Sequence, residues 1–294
     1  MLGKLFKHDF KAQYRIHCCV YILILISALA VFGALKLQKA YPKAEIFDVV
    51  TFFAVMIFVI LMIGIIFLTF ILSILRYRKN LLKDEGYLMH TLPVPVWNLH
   101  FSKMLASLCW YILDGVVMVA AISIVTGGFE WLKAIELIAE VMFGIMPQDS
   151  SMMLVGVSAP LAAEPSTGVK VLAVIGLLLY MLIGLISGLS QIYVSLAFGY
   201  TAYSSRDLMS FVAYIITYMA TQMISMVGLV IVSLADFGSL SAVFGTEYDY
   251  MAETVDTGNY FMHIMMFAVL LSVVLTVVYN FLSVRILKNK LNLE

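Results

Sequence analysis

The sequence predicts an all-α, polytopic membrane protein. Of its 294 residues, 63% are hydrophobic and only 12% are charged, whereas a soluble domain is about half apolar and about a quarter charged. The core of a soluble protein of this size could not bury this amount of apolar surface. A large part of that surface must therefore face lipid. Because a backbone in lipid has to satisfy its own hydrogen bonds, the long apolar segments are interpreted as helices.

Six segments are long enough to cross about 30 Å of hydrocarbon, which requires about 20 helical residues. They are residues 16–37, 49–75, 104–126, 171–197, 209–234 and 260–284. We therefore expect residues 1–294 to form a single transmembrane domain. The first segment contains Ala28-Leu29-Ala30, which resembles a signal-peptide cleavage site. Its apolar run continues to Leu35, so we interpret it as a retained helix.

Residues 1–15 predict an amphipathic helix that lies at the membrane surface. At 100° per residue, the apolar residues share one face and the basic residues lie opposite: Leu2, Leu5, Phe6 and Phe10 against Lys4, Lys7, His8, Lys11 and Arg15. Such a helix is attracted to anionic headgroups. The alternative is that these residues are only the positively charged flank of the first span.

The basic residues are concentrated on one side of the predicted membrane. Thirteen of the 18 lysines and arginines lie in the N-terminal segment, in residues 76–103, at Arg206 and in the C-terminal segment. Because positively charged loops stay in the cytoplasm, we expect both termini and residues 76–103 to be cytoplasmic. Residues 127–170 and 235–259 are then external loops.

The external segment 127–170 is predicted to contain a short helix. Its apolar residues recur at helical spacing on one face and its charged residues on another: Trp131, Leu132, Ile135, Ile138 and Met142 against Lys133, Glu136 and Glu140. This pattern favours a helix that lies on the outer membrane surface or caps the transmembrane helices.

The densest polar sequence lies between the second and third spans. Leucines in this segment alternate with Lys83, Asp84 and Glu85, and Gly86 breaks the helical pattern. Pro93 and a second proline then force an extended stop. Apolar side chains with a charged rim suit a groove on a partner protein. The alternative is a helix that re-enters the membrane interface.

The block DEGYL…TLP…SK in this segment resembles the ABC transporter type-2 permeases, particularly those of Gram-positive bacteria. The six spans and the amphipathic N-terminal helix also match that family. The resemblance implies that this cytoplasmic loop forms a coupling helix, and that residues 81–96 are the docking segment for a separate ATPase subunit. The implied docking residues are Asp84, Glu85, Gly86, Tyr87, Leu88, Thr91, Leu92 and Pro93, with a smaller second contact at Tyr203, Arg206 and Asp207.

The resemblance implies the permease subunit of an exporter in a bacterial plasma membrane, paired with a second, identical or related permease subunit. The chain has no GxxxxGK[ST] sequence, so ATP and Mg are expected on the partner ATPase. We expect no bound cofactor or metal, no nucleic acid and no enzymatic activity of the chain itself. The alternative function is a non-transporting membrane sensor or scaffold that uses the same loop for docking.

Polar residues at helical spacing within the spans are candidates for a substrate route. The fifth span offers Tyr214, Thr217, Tyr218, Thr221, Gln222 and Ser225, and the fourth offers Gln191. These groups cost energy when they face lipid, so we expect them to point inward. Hydrogen bonding between helices is the alternative explanation.

Two further features of the spans each have two interpretations. Asp114, midway along the third span, could couple to protons or to a cationic substrate, or it could stay protonated or pair with a polar neighbour. Gly184 and Gly188 allow a helix to approach closely, either in a dimer or within one subunit.

Overall fold

The computed structural model describes residues 2–42, 44–83, 86, 91, 94–129, 131–142, 167–202, 205–235 and 257–289. These residues form α-helices joined by turns. The α-helices are α1 (Leu2–Ala40), α2 (Glu45–Tyr77), α3 (Val96–Thr126), α4 (Leu132–Met142), α5 (Thr167–Gly199), α6 (Arg206–Ala235) and α7 (Thr257–Asn289). A π-helical segment, Arg78–Leu82, continues α2.

Six helices within the described ranges are long and apolar enough to cross a membrane, and α4 is the short exception. Each of the six contains one of the predicted spans. The prediction of a multi-pass, all-helical membrane protein is therefore confirmed. The prediction of a short helix after residue 130 is also confirmed, because α4 occupies eleven residues there.

The N-terminal segment is not a separate helix, because α1 runs without a break from Leu2 to Ala40. The predicted boundary after residue 15 is wrong for a physical reason. A buried polar face of α1, at Asp9, Gln13 and His17, continues in register into the buried apolar face that begins at Ile24. Residues spaced by three or four share one side of a helix, so one continuous stripe packs against the neighbouring helices.

The connection between the second and third spans is shorter than predicted. Helix α2 and its π-helical extension reach Leu82, and α3 begins at Val96, so only residues 83–95 lie between them. The ends of the predicted loop are helical because they are anchored by buried side chains. Tyr77 and Leu81 are fully buried, and so is His100 in the first turns of α3.

The chain divides into two compact units. Unit 1 consists of Met1–Trp131, Ile192–Phe211 and Phe281–Glu294, and unit 2 consists of Leu132–Gln191 and Val212–Asn280.

Unit 1 contains a bundle formed by α1, α2 and α3. One half of its interior is apolar, formed by Ile24, Ala28, Val31, Phe58, Met62, Ile65 and Ala121. The α1 residues of this core recur every three or four positions, as do those of α2, so each helix offers one stripe to the others. The other half of the bundle is polar, and it contains the candidate site.

Unit 2 contains the contact between α4 and α5. Ala139 of α4 is fully buried against Ala173 and Leu177 of α5. Glu136 and Lys170 form an ion pair at 3.3 Å across the same two helices. The predicted apolar face of α4 is only partly buried, because Leu132 and Ile138 are 47% and 50% exposed. Ile135 is partly buried and packs against this contact.

Candidate functional site

Most of the predicted docking segment lies outside the described residues. This holds for Asp84, Glu85, Tyr87, Leu88, Leu92, Pro93 and, in the second contact, Tyr203. Gly86 donates its amide to the Lys83 carbonyl at 2.6 Å, and Thr91 is exposed in a turn. The leucines at the start of the segment, Leu81 and Leu82, are fully buried within unit 1, so they pack inside this chain and are not available as apolar anchors for a partner.

A buried aromatic cluster anchors the end of α2 beside this segment. The ring of Tyr77 stacks on that of Tyr193 in α5, with centroids 4.1 Å apart. The Tyr77 hydroxyl lies 2.9 Å from Nδ1 of His100, and the Tyr193 hydroxyl lies 2.8 Å from Oγ of Ser107. Both phenols therefore have polar partners on α3 although they are buried, which removes the cost of burying an unsatisfied hydroxyl.

An ion pair joins the π-helical segment to the start of α6. Nη2 of Arg78 donates to Oδ2 of Asp207 at 2.6 Å. The Tyr200 hydroxyl accepts a bond from Nε of Arg78 at 2.9 Å and donates to Oδ1 of Asp207 at 3.1 Å. Burial raises the pKa of the Tyr200 hydroxyl and outweighs the opposing effect of the Arg78 charge. The phenol therefore keeps the proton that this triad requires. Asp207 is a predicted docking residue, and Arg206 is the first residue of α6.

A buried ionic cluster lies at the polar end of the α1–α2–α3 bundle. Nζ of Lys103 donates to Oδ1 of Asp9, and the two side chains are only 3% and 2% exposed. Ser102 donates to the other carboxylate oxygen at 3.4 Å. Arg76 donates to the backbone carbonyl of Asp9. This cluster ties one residue of α1 to both neighbouring helices.

Asp114 is the centre of a second buried cluster in the same bundle. Its Oδ1 accepts a hydrogen bond from the Tyr21 hydroxyl at 2.7 Å, and its Oδ2 accepts one from the Thr69 hydroxyl at 2.5 Å. Nε2 of His17 lies 3.1 Å from the same Thr69 oxygen. Of the two interpretations of Asp114, pairing with polar neighbours is therefore observed.

Stacked aromatic rings lie between the two buried clusters. The indole of Trp110 stacks on Phe10 at 4.4 Å and on His17 at 4.0 Å between centroids. Two polar atoms of this region, Oε1 of Gln13 and Nε1 of Trp110, are buried without a hydrogen-bond partner among the described residues. Phe10, which was predicted on the apolar face of a helix at the membrane surface, packs here against Trp110 of α3.

Only some of the polar residues of α6 that were predicted to point inward are shielded from the surface. Thr217 and Thr221 are half-buried and donate to carbonyls of their own helix, and Thr221 also lies 2.5 Å from the Tyr279 hydroxyl of α7. Tyr214 and Ser225 are half-buried as well, while Tyr218 and Gln222 are exposed. In α5, Nε2 of Gln191 is buried with no partner among the described residues.

Close helix approach occurs at glycines other than the predicted pair. A Cβ at Gly184 or Gly188 would meet no described atom within 4 Å. A Cβ at Gly199 would come within 2.4 Å of the backbone of Ser210, and one at Gly228 would come within 2 Å of the Phe267 ring. Gly199 lets the last turn of α5 approach the first turns of α6 closely.

Sequence reasoning missed most of the buried polar residues. His17 and Thr69 were interpreted as part of apolar spans, and Asp9 and Lys103 as part of cytoplasmic segments. One signal was available, because Asp9, Gln13, His17 and Tyr21 recur every four residues and therefore form a polar stripe along one face of α1.

Comparison of the chain with protein-family models, with curated proteins and with solved structures finds no match.

Proposed function

We propose that this chain is the permease subunit of an ATP-binding cassette exporter in a bacterial plasma membrane. In this proposal, separate ATPase subunits dock on the segment between α2 and α3, with a second contact at the start of α6. The observation that supports the proposal most directly is the ion pair between Arg78 and Asp207.

This ion pair matters because it connects the two segments expected to touch the ATPase. Arg78 opens the π-helical segment that leads into the docking loop, and Asp207 is in the first turn of α6. Their side chains are 26% and 59% exposed, so the pair contributes little to stability, on the order of 0–1 kcal/mol. Its role is positional: a displacement applied to one segment reaches the other through a direct bond.

Force applied to the loop would enter α2 and α3 together. Both helices are continuous from the loop into the membrane-spanning region. Their ends beside the loop are fixed by the contact between Tyr77 and His100. Movement of packed helices against one another is a common way for a local event to change the exposure of a transport site.

The substrate route is proposed along α6 and beside Gln191. Thr221 already faces a polar partner on α7, and Gln191 has a buried donor with no partner in the described part of the chain. A buried donor without a partner is costly, and a polar group of the substrate would satisfy it. ATP and Mg are bound by the ATPase in this proposal.

The test uses the chain co-expressed with its ATPase subunit, first identified by co-purification from native membranes. Reversing one charge, as Arg78→Glu or Asp207→Arg, is expected to lower the transport-linked rate of ATP hydrolysis several-fold in proteoliposomes. Exchanging both charges together is expected to restore much of it. Asp48→Arg is the control, because Asp48 is exposed and lies in the first turn of α2, far from the loop.

Two results would contradict the proposal. One is a chain that never associates with an ATPase of this class and leaves its hydrolysis unchanged. The other is full association with no movement of any solute across proteoliposomes, which would favour a scaffold.

A further inference from the structure

The polar groups around Asp114 form a chain of hydrogen bonds whose proton positions follow from the chemistry of each atom. Asp114 binds the Thr69 hydroxyl on one oxygen and the Tyr21 hydroxyl on the other, at 2.5 and 2.7 Å. Thr69 lies 3.1 Å from Nε2 of His17. The other ring nitrogen, Nδ1, lies 3.2 Å from the backbone carbonyl oxygen of Gln13.

The Gln13 carbonyl fixes one proton of this chain. A carbonyl oxygen can only accept a hydrogen bond, so Nδ1 of His17 must carry a hydrogen. The partner of one ring nitrogen thereby sets what the other can be. Nε2 either has a lone pair, when the ring is neutral, or carries a second proton, when the ring is an imidazolium.

Two proton arrangements satisfy every one of these bonds. In the first, Asp114 is a carboxylate, Thr69 donates to it, and the His17 imidazolium donates to Thr69. In the second, a protonated Asp114 donates to the Thr69 oxygen, and Thr69 donates to Nε2 of a neutral His17. To pass from the first to the second, the Nε2 proton moves to the Thr69 oxygen while the Thr69 proton moves to Oδ2 of Asp114. The three groups keep the same atoms and a net charge of zero.

Burial of the three side chains favours this proton exchange between them. His17 and Thr69 are fully buried and Asp114 is 2% exposed, so water does not compete for their protons. An isolated charge in such a place is costly, but the exchange never creates one. The stacked ring of Trp110, 4.0 Å from that of His17, holds the imidazole in place.

Other ionisable groups face these residues from all three helices. From α1, Cys18 acts on Tyr21, and from α2, Arg76 acts on His17. On α3, Tyr111 lies within reach of the Asp114 charge. The charges of Arg76 and Asp114 have opposite effects on the protonation of the His17 ring. Asp9 and Lys103, which are also buried in the described part of the bundle, pair with each other.

We propose that Asp114, Thr69 and His17 form a proton relay that holds one mobile proton inside the α1–α2–α3 bundle, with Tyr21 fixing the orientation of the carboxylate. The ligand of this site is a proton, and the Thr69 hydroxyl is the bridge through which it passes. The proposal concerns the isolated chain, so it does not depend on docking of an ATPase or on transport.

The test is nitrogen-15 NMR of the chain in lipid nanodiscs with labelled histidine, where loss of a signal in His17→Gln assigns His17. In the wild-type chain, Nδ1 of His17 is expected to be protonated. The chemical shift of Nε2 is expected to lie between the values of a protonated and an unprotonated nitrogen, and to change with temperature. Asp114→Asn can still donate to Thr69 but cannot release a proton. In that variant, Nε2 is expected at its unprotonated limit.

Two threonines of α2 provide a matched pair of variants. Thr51 is buried like Thr69, but its hydroxyl has no partner among the described residues. In a Thr69→Val background, adding Asp114→Asn is expected to move the Nε2 resonance much less than in the wild type, because the bridge is gone and only the charge of Asp114 still acts on the ring. In a Thr51→Val background, Asp114→Asn is expected to move the Nε2 resonance as far as it does in the wild-type chain. Thr69→Ser keeps the hydroxyl and is expected to keep the response.

Three outcomes overturn the relay. The first is a wild-type His17 that carries its proton on Nε2 with Nδ1 bare. The second is an Nε2 resonance that stays at one limit at every temperature, which means a fixed proton. The third is a response of the Nε2 resonance to Asp114→Asn that is undiminished in the Thr69→Val background. The first two are measured on the wild-type chain, so they decide the question even if Thr69→Val does not fold.

Discussion

Asp9 and Lys103 place a negative and a positive charge where water is excluded, since their side chains are 2% and 3% exposed. Two such charges cost several kcal/mol each to remove from water, and their mutual attraction offsets that cost only when the geometry is good. Here the Asp9 carboxylate also accepts a hydrogen bond from the Ser102 hydroxyl at 3.4 Å. The pair therefore fixes how α1 and α3 meet more than it adds to stability.

Removing only one of these charges should be more harmful than removing both. Lys103→Met leaves the Asp9 carboxylate buried without its main partner and is expected to destabilise the chain by about 3–5 kcal/mol. The double variant Lys103→Met with Asp9→Leu is expected to recover much of that loss. Thermal unfolding in detergent micelles measures both, and Lys133→Met is the control at an exposed lysine.

A Lys103→Met chain that unfolds at the wild-type temperature would show that the two charges are solvated. A double variant less stable than either single variant would mean that packing at Asp9 dominates.

At the scale of single residues, the sequence predicted which types matter but not their partners. Asp114 was recognised because one carboxylate in an apolar span is conspicuous. Its neighbours were not, since Tyr21 and Thr69 lie 93 and 45 residues away along the chain. Contacts between distant segments depend on how the helices pack, and the pattern within each helix does not contain that information.

At the scale of secondary-structure elements, the close approach of α5 to α6 depends on the absence of a side chain at Gly199. Gly199 is placed against the backbone of Ser210, where even a methyl group would overlap. Backbone cannot move aside as the end of a flexible side chain can. The two helices can therefore approach this closely only with glycine at this position.

Gly199→Ala is expected to lower the free energy of unfolding by about 1–3 kcal/mol, because overpacking forces the helices apart. Gly184→Ala is the matched control in the same helix, where the added methyl group meets no described atom. Its expected effect is neutral or slightly stabilising, since alanine is a better helix former than glycine. Chemical or thermal unfolding of the two variants in one detergent compares them.

Equal stability of the two variants would contradict the close approach at Gly199. A loss confined to Gly184→Ala would instead point to a contact of that glycine with another molecule.

Helix identity was the most predictable property of this chain, and helix ends were less so. Runs of about 20 apolar residues identify spans because length and hydrophobicity alone are decisive in lipid. The predicted ends failed where buried polar side chains extend a helix beyond its apolar run, as Asp9 does in α1 and Tyr77 in α2. Hydropathy counts these residues as flanks although they are interior.

At the scale of the whole molecule, the distribution of charge makes a prediction about orientation. Lys83 follows the π-helical segment, whereas Lys39 lies in the last turn of α1 at the other end of the same hairpin, and both are exposed. If the positively charged loops are cytoplasmic, these two positions lie on opposite sides of the membrane.

Single cysteines test this orientation in a background where Cys18, Cys19 and Cys109 are replaced. In intact cells, Lys39→Cys is expected to react with a membrane-impermeant maleimide, and Lys83→Cys is expected to react only after permeabilisation. Labelling of Lys83→Cys from outside would reverse the orientation and exclude docking of a cytoplasmic ATPase on this loop.

The pairing of Asp9 with Lys103 also has a consequence for how the protein is made. The ribosome produces the aspartate 94 residues before the lysine that neutralises it. During that interval the carboxylate lacks its main partner, although Arg76, which lies 4.0 Å from it in the folded chain, is made earlier. The closest ionic contact of the first helix therefore forms only after the third helix has been synthesised.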